Sequence, residues 1–152
     1  MSTSRISWHN YFIGIAKKVS ERGTCDRLLV GCIIVKDNRI LTTGYNGSLP
    51  STPHCDDIGH LMMNGHCIRT NHAERNAVLQ AAKNGIALEG ATCYCNWKPC
   101  LDCMKILVGA GITTIIYDEI YGNKSSYEGE EELFGTLISA KKLNVMCVRD
   151  GW

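Results

Sequence analysis

The second half of the chain alternates two kinds of apolar run, and this alternation restricts the fold more than any other feature. "ATCYCNW", "ITTIIYD" and "NVMCV" are short, continuous and rich in β-branched or aromatic residues, as buried strands are. Between them lie "PCLDCMKILVGAG", which opens on Pro and closes on Gly, and "EGEEELFGTLISAKK". Strand–helix–strand order predicts parallel pairing. Upstream, "LLVGCIIVKDNRILTTGYN" reads as two strands joined by a turn at Lys36 to Arg39, hence an antiparallel edge. "SWHNYFIGIAKKVSERG" sets Trp8, Phe12, Ile15, Ala16 and Val19 on one helical face, with Ser7 as N-cap and Gly23 as stop. Ala73, Ala77, Val78 and Ala81 mark another such face between Asn71 and Asn84, closed by Gly85. The expected fold is α/β with three layers: a mixed five-stranded sheet covered by helices on both faces. The 152 residues suit a single domain over 1–152, with no repeat or linker.

One stretch resists this reading. Residues 47–70 are rich in Gly, Pro, Ser, Asp and His, with no sustained period. A structureless segment of that length in a compact domain is usually functional or tied down.

Charge and hydropathy narrow the function classes. Sixteen Lys and Arg face fifteen Asp and Glu, a formal net charge of +1, so no basic excess marks a long nucleic-acid partner. Runs such as "LLVGCIIV" are too short to cross a bilayer, and "MSTSRISWHNYF" has no secretory signal pattern. The expectation is a cytoplasmic protein with neither nucleic-acid nor membrane partner.

Nine cysteines is a high count for that compartment, and an odd number without a secretory signal argues against a disulfide framework. Cys32, Cys93, Cys95 and Cys147 lie in strand-like runs, where Cys behaves as a small hydrophobe. Cys25, Cys55, Cys67, Cys100 and Cys103 lie at element ends or in loops, where metal ligands belong.

Two motifs carry chemistry. "PCLDC" puts Cys100 and Cys103 at i and i+3 in a first helical turn, sulfurs on one side, where the positive helix end favours thiolates. "TNHAERNAV" puts His72 and Glu74 at another helix start. Three N and S ligands leave a fourth tetrahedral position open, as in a catalytic rather than a structural zinc. Glu74 is then placed to take a proton from water and deliver it to a substrate nitrogen. A lone Cys-x-x-Cys could be a redox pair or half a structural site, and a lone His-x-Glu is noise. Together they form the signature of zinc nucleobase deaminases.

Over nearly its whole length the chain resembles the deoxycytidylate (dCMP) deaminases of bacterial and viral type. The resemblance rests on "TCDRLLVG", "GYNGS", "HCDDIGH", "GHCIRTNHAERNA" and "PCLDCMKILVGAGI". It implies the cytidine deaminase fold, a homohexamer, and conversion of dCMP to dUMP and ammonia, activated by dCTP with Mg²⁺ and inhibited by dTTP. It implies that His72, Cys100 and Cys103 hold the catalytic zinc and that Glu74 is the proton shuttle. Asn46 would hold the deoxyribose hydroxyl, Arg27 the 5′-phosphate, and Tyr121 the phosphate or base. Taken alone, Arg27 and Asn46 would read as a surface ion-pair residue and a turn residue. "CNWKPC" departs from the family, Trp97 being bulky beside the base.

The resemblance also implies a second, structural zinc, with Cys25, Cys55, His60 and Cys67 as ligands. His54 and His66 are rival ligands, and free buried thiols the plain alternative. Around "GYNGS", Gly44, Tyr45, Gly47 and Ser48 would border the effector nucleotide, with Lys36 and Arg39 meeting its triphosphate. Two other readings stand beside these: a transfer-RNA adenosine deaminase, which shares both motifs but needs a basic surface, and a non-catalytic zinc module, which has no use for Glu74. Free-nucleoside cytidine deaminases commonly carry Cys where this chain has His72.

Overall fold

The computed structural model describes residues 4–122 and 127–150. Helix α1 (Trp8–Ser20) starts at Ser7, whose Oγ accepts the Asn10 N–H at 3.2 Å. Strands β1 (Gly31–Lys36) and β2 (Arg39–Tyr45) pair antiparallel with Lys36 opposite Arg39. The link between them is two residues, Asp37 and Asn38, both at positive φ. That is the turn geometry whose twist matches paired strands.

Residues 47–70, which carry no periodic signal, are not structureless. They contain a one-turn helix α2 (Cys55–Ile58) and a small hairpin of β3 (Met62–Met63) and β4 (His66–Cys67), turning at Asn64 and Gly65. Elements of two to four residues are too short to impose a period.

Then follow α3 (Ala73–Lys83), β5 (Thr92–Trp97), α4 (Leu101–Gly109), β6 (Thr114–Glu119), α5 (Glu130–Ser139) and β7 (Asn144–Cys147). The main sheet has the order β2-β1-β5-β6-β7. β1 runs antiparallel to β2 and β5, while β5, β6 and β7 are parallel, as the alternation predicts.

Each face of the sheet buries one apolar layer. Phe12, Ile13 and Ala16 of α1 join Ile33, Tyr94 and Ile116 on one side. On the other, Ala73, Ala77 and Ala81 of α3, Met104 and Leu107 of α4 and Phe134 of α5 join Ile34 and Ile115. Helix α3 presses hard on the sheet, since a Cβ at Gly44 of β2 would lie 2.2 Å from the Ala73 carbonyl oxygen. Only glycine permits that approach. Because α3 and α4 lie on one face, their N-termini meet at the end of the sheet where β5 finishes. Such strand ends are where α/β sheets hold their sites. Among the described residues, no helix is long and apolar enough to cross a membrane.

Candidate active site

His72 is the N-cap of α3 and Cys100 the N-cap of α4, with Cys103 one turn further on. The His72 Nδ1 lies 3.6 Å from Cys100 Sγ and 3.3 Å from Cys103 Sγ. All three ligand atoms fall within 4.8 Å of one another. A tetrahedral zinc with sulfur at about 2.3 Å and nitrogen at about 2.0–2.1 Å has an S···N edge of about 3.5 Å. Both S···N edges already stand near that spacing.

Electrostatics point the same way. Hydrogen bonding to the Cys103 thiol draws the Cys100 thiol down to about 4. The Cys100 sulfur, with burial, pushes Cys103 far up. Two adjacent thiolates repel, and a divalent cation between them would let both ionise. The donor set fits zinc.

Glu74, in the first turn of α3, is 4% exposed. Burial pushes its carboxyl up to about 7. Glu74, His72 and Cys100 line one cavity of about 610 Å³, together with Arg27, Asn46, His66, Trp97, Tyr121 and Tyr127. A wider groove along α5, lined by Glu131 and Glu132, includes none of these metal-binding groups.

The remaining expected contacts differ in how free they are. Among the described residues, the Arg27 guanidinium makes only long contacts, 3.8 Å to Met62 Sδ and 3.4 Å to the Gly65 carbonyl, so it is available to an anion. Tyr121 is exposed and meets Trp97 edge-on at 6.4 Å. Asn46 is buried and largely committed. Its Nδ2 donates to the carbonyls of Cys25 and Leu28, and its Oδ1 accepts from the Val30 N–H. Only the second lone pair of Oδ1 is left for a sugar hydroxyl.

The residues expected around an effector are not brought together within the chain. Lys36 and Arg39 sit at the turn of the β1–β2 hairpin, while Tyr45 ends β2 opposite Gly31. Seven extended residues separate these ends by about 20 Å. Lys36 Nζ is engaged with the Glu89 carbonyl at 2.8 Å. The N–H groups of Asn46, Gly47 and Ser48 are also engaged, with Val30 O, Asn71 O and His54 Nδ1. Gly44 is there for packing on α3. Ser48 Oγ is buried with no hydrogen-bond partner among the described residues.

The second cluster does assemble. Ligand atoms of Cys25, Cys55, His60 and Cys67 lie within 4.8 Å of one another, with Cys25 Sγ 3.5 Å from His60 Nδ1 and Cys55 Sγ 3.4 Å from Cys67 Sγ. His60 Nε2 meets Asp26 at 3.0 Å, the outer partner that orients a ligating imidazole. The rival His54 is turned away, its Nδ1 2.8 Å from Thr24 Oγ1. Four soft ligands without an open position suit a structural zinc.

Sequence reasoning missed a brace on the Cys100 turn. Lys98 Nζ, buried, donates to both Glu130 carboxylate oxygens at 2.9 and 3.0 Å, and Tyr127 Oη donates to the Lys98 carbonyl. A Lys directly before Pro-Cys was the available signal. It also missed Asn76, whose Nδ2 ties α3 to the carbonyls of Tyr45 and Gly47.

Known proteins resemble the chain in sequence and in fold. Residues 6–119 match the cytidine and deoxycytidylate deaminase zinc-binding region. The chain is 42% identical over 147 residues to ComE operon protein 2 of Bacillus subtilis, covering 95% of this chain and 76% of that protein. It is 34% identical over 149 residues to the deoxycytidylate deaminase of Saccharomyces cerevisiae, covering 90% of this chain but 43% of the yeast protein. The chain therefore spans less than half the length of that relative. The dCMP deaminase of cyanophage S-TIM5, solved with dCMP and dUMP, superposes with a TM-score of 0.74 over 96% of this chain and all of that one. At 23% identity, that likeness speaks to the fold.

Proposed function

The chain belongs to the cytidine and deoxycytidylate deaminase family, and from that premise we propose that it hydrolyses dCMP to dUMP and ammonia. The observation that carries the proposal is the meeting of His72, Cys100 and Cys103 at a cavity that His72, Cys100 and buried Glu74 line. The yeast relative is a deoxycytidylate deaminase, which favours dCMP among the family's substrates.

In this reading His72, Cys100 and Cys103 would hold a zinc ion, which when bound would supply Lewis acidity toward water. Glu74 takes one proton from the attacking water as its oxygen bonds to C4, and passes that proton to N3. It then moves the second proton, from the new C4 hydroxyl, to the amino group, so that the C4–N bond breaks and ammonia departs. A carboxyl raised toward neutrality is suited to both taking and giving a proton. Arg27 offers its planar fork to the 5′-phosphate. Asn46 Oδ1 accepts the 3′-hydroxyl while the rest of its amide holds the loop. Tyr121 and Trp97 flank the nucleotide as an aromatic wall.

Cys25, Cys55, His60 and Cys67 hold a second, structural zinc that fixes the 47–70 segment. We propose further that the chain is one domain and works in the cytoplasm as a homohexamer, activated by dCTP with Mg²⁺ and inhibited by dTTP. The unpartnered Ser48 Oγ favours a ligand beside "GYNGS". Lys36 and Arg39 can join such a site only from a neighbouring subunit.

The experiment is a turnover panel on the zinc-loaded protein with dCMP, cytidine, dCTP and an RNA hairpin containing adenosine. Release of ammonia from dCMP well ahead of the others is expected. Preference for the hairpin would make the chain a transfer-RNA adenosine deaminase. No turnover of any of them would make it a zinc module without catalysis.

A further inference from the structure

Among the described residues, two of three clusters of metal-binding side chains are absorbed by the reading above, and the third is not. Cys32 of β1 stands opposite Cys95 in the antiparallel β1–β5 pair, with Cys93 two residues along on β5. Residues two apart in a strand share a face, so the three thiols project together from one side of the sheet. Their sulfurs lie within 4.8 Å of one another, Cys32 to Cys93 at 3.4 Å and Cys93 to Cys95 at 3.6 Å. All three are fully buried, in the apolar cluster that holds Ala73, Ala77, Met104 and Leu107.

From this juxtaposition we propose that Cys32, Cys93 and Cys95 form a buried three-thiol binding site for trivalent arsenic, taken up as arsenite. Charge selects the ion. Three thiolates around zinc would leave one negative charge, and around copper(I) two, in a buried layer where unpaired charge is costly and where the Glu74 carboxyl already interacts with Cys32 and Cys93. Zinc would also lack a fourth donor, since the cluster contains three. A trivalent, thiophilic, three-coordinate ion gives a neutral complex and needs no further ligand. Atoms balance without an oxidant. Three S–H bonds and three As–O bonds break, three As–S bonds form, and three water molecules carry away the thiol protons and the hydroxyls of arsenous acid.

Burial makes the process slow. No sulfur of the triad is exposed, so arsenite reaches it when α3 and the strands separate locally, an opening with its own free energy. The proposal is independent of the deaminase reading, since it uses none of that site's groups.

The test uses the zinc-loaded protein, incubated with arsenite for increasing times, desalted, and analysed for arsenic and zinc. Slow retention of one arsenic per chain at unchanged zinc content is expected, with X-ray absorption reporting three sulfur neighbours and no oxygen. In Cys93→Ala, release of bound arsenic to a competing dithiol should be faster by about 10²-fold, the scale of a lost chelate arm. Should that variant fail to fold, as judged by zinc content and circular dichroism, Cys95→Ala is read the same way. If neither folds, the sulfur count in the unmodified protein decides. The proposal is overturned by no retained arsenic, by arsenic gained one-for-one with zinc lost, by fewer than three sulfur neighbours, or by unchanged release from a folded variant.

Discussion

Cys103 Sγ lies 3.3 Å from His72 Nδ1, although 31 residues separate them in the chain. Two helix N-termini on one face of the sheet create that contact, and neither helix alone would supply more than part of a metal site. The same packing of α3 on β2, which Gly44 permits, carries Glu74 into the buried end of the cavity.

The second cluster should behave as a structural site. Zinc content is expected near two per chain, and Cys55→Ser should lower it to about one, with a loss of stability exceeding the loss of turnover. Elemental analysis and thermal unfolding check this. A stoichiometry of one in the unmodified protein would remove the second zinc.

Arg27→Ala should weaken dCMP far more than deoxycytidine, because the lost group faces the phosphate. A charge-assisted pair is worth about 1.5–3 kcal/mol, which corresponds to roughly 10–150-fold in KM for the nucleotide. Equal losses for nucleotide and nucleoside would make Arg27 structural.

Much of this was legible because it is local. Cys100 and Cys103 share a helical turn, His72 and Glu74 share another, and Pro, Gly and strand-like runs marked the elements around them. The quartet Cys25, Cys55, His60 and Cys67 was legible from the resemblance, and the chain does gather it. What the sequence hid was distance within one chain. Lys36 and Arg39 are close to "GYNGS" in sequence, yet an extended strand carries them to the far end of the hairpin. The Lys98–Glu130 pair spans 32 residues, and no periodicity reports a contact between a strand end and a later helix.

That pair gives a stability prediction. The Lys98 and Glu130 side chains are only 2% and 9% exposed, so Lys98→Met leaves a buried carboxylate without its cation. Such losses cost about 3–5 kcal/mol, and Lys98→Met combined with Glu130→Leu should recover much of it. Urea unfolding of the three proteins measures the coupling. Equal stability of single and double variants would contradict it.

A pH effect follows from Asp118. Its buried carboxylate is held below the usual range by hydrogen bonds from Arg149, reinforced by Lys17. A depressed folded value means the stabilisation is fully present above the unfolded carboxylate value near about 3.9 and fades as pH falls through the folded value. Unfolding free energies at neutral pH and at pH values below about 3.9 should therefore converge between wild type and Asp118→Asn as acid is added. A gap that stays constant with pH would contradict the assignment.

The most direct measurement is dCMP turnover by Glu74→Gln, with zinc content determined on the same sample. Glutamine keeps the shape of the side chain and removes its capacity to carry protons. His72→Ala should lose both catalytic zinc and activity. Glu74→Gln should keep the zinc of the unmodified protein while ammonia release falls by at least about 10²-fold. A zinc-loaded Glu74→Gln protein that retains more than about a tenth of the rate would contradict the assignment of Glu74 as the proton carrier.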